Sequence, residues 1–133
     1  MKDEAFARAF ENGFVTPEEF DHLAHVRVAW VYLRETASLE AALSRMRDGI
    51  RRFAASAGAS QKYHETITVL WMRILADVKA GGASGDLADV LRAHPELADK
   101  ELPLRYYSRE RLFSDEARAA WVEPDRQPLN PGA

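Results

Sequence analysis

Three stretches of helical apolar spacing, joined by links of a few residues, leave this chain little choice but a helical bundle. Thr16-Pro17-Glu18-Glu19 combines an N-cap hydroxyl, a proline at the first helical position and a capping-box glutamate, which predicts a helix from there to about Thr36. Ser38 caps a second stretch, in which Leu39, Leu43, Met46, Ile50 and Phe53 recur at helical spacing as far as Ala57-Gly58. A third begins near Ser60, carries Ile67, Leu70, Trp71, Ile74, Leu75 and Val78, and stops at Gly81-Gly82. Short links favour antiparallel neighbours, so the three should run up, down and up.

The rest of the chain is more broken. Residues 1–14 read as an N-terminal segment, Asp86 to Ala93 as a short helix ending near His94-Pro95, and Ser114 as the cap of another through Trp121. Between these, Leu102 to Ser108 reads as an irregular link packing Tyr106 and Tyr107 on the bundle. From Glu123 to residue 133, Pro124, Pro128, Pro131 and Gly132 predict an extended tail. No strand pattern or repeat appears. The expectation is a single all-α domain over 1–133, a compact bundle of three long helices with short C-terminal helices and a Pro-rich tail.

Composition narrows the chemistry. With no cysteine among 133 residues, disulfides, iron–sulfur clusters and thiol nucleophiles are ruled out, and any metal must take N and O ligands. A formal charge of −3 argues against a nucleic-acid partner. No run of apolar residues suits a membrane span, and MKDEAFARAF has no signal-peptide core. A cytoplasmic protein is expected, with the oligomeric state open and a homodimer among its options.

Histidines carry the functional signal. At about 100° per residue, His22, His25, Ala29 and Leu33 share one side of the first long helix and Arg27 and Arg34 the other, which places the imidazoles toward the core and the arginines toward water. On the third, His64, Thr68, Trp71 and Leu75 form one row, opposite Lys62, Thr66, Arg73 and Asp77. With those two helices parallel, His22 and His64 should lie at similar depth and His25 one turn deeper, so that the three could converge on one ion.

Carboxylates could complete such a site. Glu18 and Glu19 precede His22 by one turn, and Glu65 follows His64. Glu19-Phe20-Asp21-His22 has the Glu-x-x-His spacing of carboxylate-bridged di-iron bundles, but Gln61 stands at the equivalent place before His64, which favours a mononuclear centre. The expected ligands are His22, His25, His64 and Glu19 around a divalent transition metal, with Zn, Fe, Mn, Ni and Cu undistinguished. Glu65, Glu18, Tyr63 and Thr68 are the candidates for catalytic roles. The function this implies is a small metal-dependent enzyme acting on a small-molecule substrate by hydrolysis, hydration or oxygen chemistry.

Three other readings use the same residues. A metal-free acid/base or ligand pocket needs only the imidazoles. A structural hydrogen-bond network could satisfy them through Glu18, Tyr32, Thr68 and the link tyrosines, leaving a non-enzymatic module that binds a ligand or partner. Buried histidines could also make the bundle pH-responsive. Arg45, Arg47, Arg51 and Arg52 form a basic cluster interrupted by Asp48 and Glu40, best read as a solvated face. His94 most simply ends a helix.

The phrases Asp21-His22-Leu23-Ala24-His25-Val26-Arg27-Val28-Ala29-Trp30 and Lys62-Tyr63-His64-Glu65-Thr66-Ile67-Thr68, with Tyr106-Tyr107-Ser108 and Ala117-Arg118, resemble a set of small helical bacterial proteins without an assigned activity. That resemblance spans most of the chain and implies that the two phrases form one site; it implies no reaction. In idea alone the chain is also similar to DinB-type bundles that hold a metal with three histidines, but ligand spacing and helix order differ.

Overall fold

The computed structural model describes residues 1–129 and is all-helical, with no strand among them. Helices α1 (Asp3–Glu11), α2 (His22–Glu35), α3 (Leu39–Ser56) and α4 (Glu65–Ala80) pack around one core. The shorter α5 (Leu87–Ala93), α6 (Arg109–Leu112) and α7 (Asp115–Ala119) follow along the remaining chain. Trp30, Tyr32, Met46, Leu70, Trp71 and Met72 fill the centre of the bundle, with Leu97, Tyr107 and Leu112 brought in from the C-terminal part. Residues 130–133, the end of the expected tail, lie outside the described residues.

Helix α3 starts and stops where its punctuation predicts. The Ser38 hydroxyl accepts the Ala41 N–H, and beyond the end of the helix Gly58 takes a φ of +69° that a side chain would resist. Within it, Gly49 lets α1 approach: a Cβ there would stand 2.8 Å from the Phe10 ring. That ring stacks on Phe20 at 4.6 Å between centroids, and Phe53 closes on both.

Both histidine-bearing helices start later than their sequence signals. The Thr16 box forms, with Thr16 N–H donating to Glu19 and Glu19 N–H to the Thr16 hydroxyl, but it closes a single turn. Phe20 then leaves the helical path to join Phe10 and Phe53, and Asp21 caps again by accepting the Ala24 N–H at 2.9 Å. The helix therefore begins at His22. Phe20 and His25 occupy the N′ and N4 positions of a hydrophobic staple, edge to face at 6.1 Å. At the third helix, a 3-10 turn over Ser60–Lys62 breaks at an extended Tyr63, and His64 becomes the cap.

An unforeseen helix changes the outer face of α2. Residues 1–14 contain α1, whose acids meet the arginines expected to face water: Asp3 accepts from Arg27 at 2.6 Å, Glu4 from Arg34 at 3.2 Å, and Arg8 reaches Glu35. Asp3 also accepts the Leu87 N–H, which ties α1 to the start of α5. Thr66 is likewise covered rather than solvated. Its hydroxyl donates to the Ala120 carbonyl and accepts from Val122 N–H, fastening the C-terminal arm along α4. Tyr107 hydroxyl to Val122 carbonyl and Arg126 N–H to Tyr106 carbonyl hold the same arm, so the part of the tail up to residue 129 is anchored to the rest of the chain.

Candidate ligand cleft

His22 and His25, one turn apart at the start of α2, line a cleft of about 510 Å³. Trp71 and Ile67 from α4, Leu112 from α6, Phe20 and Phe113 supply much of its apolar lining. The C-terminal arm adds Lys100, Glu101, Pro103, Leu104 and Arg109 to the lining. The volume falls within the range of pockets that take small organic molecules, and a mostly apolar lining with a few polar groups is their usual character. Phe113 is half exposed, at 50 %.

His22 is held firmly. Its ring lies 4.7 Å from that of Trp71, and its Nε2 is 2.9 Å from the Leu97 carbonyl. A carbonyl can only accept, so Nε2 carries the proton and Nδ1 keeps its lone pair. His25 differs: among the described residues its ring nitrogens have no hydrogen-bond partner, although no fully buried polar side-chain atom in that set is left unsatisfied. Those nitrogens are therefore open to solvent, in a residue that lines the cleft. Burial, and then the neighbouring His22, push the His25 imidazole from its ordinary 6.5 down to about 4, so the ring is neutral at physiological pH.

The cleft's charges are mostly spent locally. Asp21 caps α2, and Glu101 pairs with Arg109 at 3.1 Å. Lys100 has no carboxylate within ion-pair distance among the described residues.

His64 lies elsewhere. His22 faces Trp71, seven residues beyond His64, which separates the two histidines by about 10 Å along α4 at its rise of about 1.5 Å per residue. Both nitrogens of His64 are engaged: Nδ1 accepts the Ile67 N–H at 3.1 Å, and Nε2 donates to the Leu112 carbonyl at 2.6 Å. Burial pushes this imidazole below its ordinary value, with Arg118 adding to the effect and the Leu112 carbonyl opposing it. His64 thus joins the N-terminus of α4 to α6, standing behind the cleft wall against Phe113.

The expected carboxylates also disperse. Glu18 is exposed, and Glu19 is bound into the Thr16 turn. Glu65, only 8 % exposed, receives Arg47 through Nε and Nη2, the shortest contact 2.5 Å, and the Tyr63 hydroxyl at 2.6 Å. Burial pushes its carboxyl up, but Arg47 and Tyr63 outweigh that and hold it below the usual range. Arg51 covers the Tyr63 ring, whose own pKa burial and Glu65 push up to about 12. Thr68 donates to the His64 carbonyl. Of the four candidate catalytic residues, Glu65 and Tyr63 are thus absorbed in joining the start of α4 to α3 and Thr68 in a bond within α4, and the basic cluster on α3 is in part an ion-pair seam.

The metal centre expected from His22, His25, His64 and Glu19 is not assembled. Among the described residues no group of three or more His, Asp or Glu side chains is placed to hold an ion. Both helices start later by a similar number of residues, so their starts alone do not part the histidines; α2 instead packs with His22 against Trp71, seven residues beyond His64, and His64 is spent as a cap. Sequence reasoning also missed Lys100, Glu101, Arg109 and Phe113. No local pattern marks them, because only the path of the C-terminal arm brings them to the histidines.

A larger groove of about 590 Å³ lies between residues 10–17 and α3. It holds no imidazole, and its Glu11 is committed to Tyr32 and Arg45, so the histidine cleft is the better site. No described helix is long and apolar enough to cross a membrane. The chain matches no protein-family model, no curated protein and no solved structure.

Proposed function

We propose that this chain is a ligand-binding helical protein that holds a small organic molecule in the cleft between the start of α2 and the C-terminal arm, with His25 as its hydrogen-bonding partner. The observation that carries this reading is the unspent hydrogen-bonding capacity of His25 in a cleft whose lining is mostly apolar. A neutral imidazole can donate from one nitrogen and accept at the other, so it suits a ligand hydroxyl, amide or acid. An imidazole whose conjugate acid has a pKa near 4 is a weak base at neutral pH, which favours holding a molecule over abstracting its proton. Metal-dependent hydrolysis, hydration or oxygen chemistry would require His64 or a glutamate to join His22 and His25, and no observation favours that rearrangement.

Imidazole-detected NMR during a fragment screen tests the proposal. Cleft-binding fragments should move the His25 ring nitrogens, and His25→Leu, which fills similar space without hydrogen bonding, should abolish their binding while the protein stays folded. Hits that leave His25 unmoved, or that bind His25→Leu equally well, would show the reading to be wrong.

A further inference from the structure

The chemistry around the mouth of the cleft narrows what it holds. Four charged side chains line it, two of each sign, and three are already engaged. Asp21 lies at the positive end of α2 and accepts the Ala24 N–H, and Glu101 and Arg109 neutralise each other. Lys100 remains as the lining cation without an ion-pair partner among the described residues, and it is exposed. The apolar part of the lining is Phe20, Ile67, Leu104 and Phe113, with Trp71 and Leu112, each only 2 % exposed.

Resting on the cleft reading, we infer that the ligand is a compact amphipathic monoanion: an aromatic or branched apolar body lying against Phe20, Ile67 and Phe113, with one carboxylate reaching Lys100 and its polar side toward His25. A neutral apolar molecule would leave Lys100 unused. A cation would meet carboxylates already held by a helix terminus and an arginine, and a dianion would bring a second charge with a single free partner. Lys100 acts here as a specificity residue, choosing the charge of the ligand while the apolar lining supplies most of its affinity.

The test uses one aromatic body with three charges: 2-naphthoate, 2-naphthamide and 2-naphthylmethylammonium, each titrated into the full chain while His25 and Trp71 resonances are followed. 2-Naphthoate is expected to bind tightest and to weaken roughly five- to tenfold in Lys100→Ala, the effect of losing one charge-assisted contact, while 2-naphthamide binds both proteins alike. Lys100 is exposed, so the substitution leaves the fold intact, and Lys100→Glu should weaken 2-naphthoate further. Equal or tighter binding of the amide or the ammonium probe, or 2-naphthoate binding indifferent to Lys100→Ala, overturns the monoanion inference while leaving the cleft reading standing, because a probe still moves His25. Silence of His25 toward all three overturns both.

Discussion

His64 and His25 stand at the starts of two neighbouring helices and are put to opposite use. The first has both nitrogens bonded to backbone, one capping α4 and one gripping α6 through the Leu112 carbonyl. The second has neither bonded and opens on the cleft. The same contrast extends to their surroundings: beside His64, Glu65, Tyr63 and Arg47 satisfy one another and Thr68 bonds the His64 carbonyl, whereas the cleft that His25 lines holds Lys100 without an ion pair. A polar group buried in a seam must be paired to be tolerated, so pairing marks structure. Capacity left over in a concave, apolar place marks a site.

Substitutions in the two regions should therefore separate stability from binding. The largest loss of stability is expected from Arg47→Met, which strands the buried Glu65 carboxylate; after discounting for the partial exposure of Arg47, about 2–3 kcal/mol is lost in urea unfolding, with cleft binding retained at low denaturant. Next, His64→Ala should cost about 1–3 kcal/mol by removing a cap and the tie to α6, and His64→Asn, which keeps a capping acceptor, should recover part of it. If His64→Ala leaves stability untouched but abolishes ligand binding, the contrast drawn here is wrong.

Acid should act on both histidines in the same direction. Each is held neutral in the fold, so below the ordinary histidine value of 6.5 the unfolded chain takes up protons that the folded chain refuses. Stability is then full above about pH 6.5 and falls as pH drops toward the His25 value of about 4, by on the order of 1–3 kcal/mol. His25→Leu should flatten part of that slope while changing stability at pH 7 by less than about 1 kcal/mol, since no hydrogen bond is lost. An unchanged slope would mean that His25 is not the buried neutral group described. The smallest effect belongs to Lys100→Ala: within about 0.5 kcal/mol in stability, as expected of an exposed side chain without a partner.

Much of the fold was legible in the chain itself, because helix signals are local. Ser38 with Ala57-Gly58 bounded α3, Asp86 capped α5 and Ser114 capped α7 as their residue types demand. The legible signals misled where two competed within a few residues. Thr16 and Asp21 are both good caps, and the one that lets Phe20 reach Phe10 and Phe53 starts the helix. The cap at His64 was invisible for another reason: histidine is not among the usual N-cap residues, and only its placement beside Leu112 rewards the choice.

The candidate site divides in the same way. Periodicity alone put His22 and His25 on a common side of one helix and away from its arginines, since 100° per residue needs no tertiary information. Which of the three histidines would be left open depended on the register between α2 and α4 and on where the arm from Lys100 to Phe113 crosses them. Helix capping and turn geometry are decided within a few residues, but the hydrogen-bond partner of a buried imidazole comes from wherever the chain returns. Leu97, 75 residues from His22, and Leu112, 48 from His64, took two of the three, and the tertiary structure left the cleft to His25.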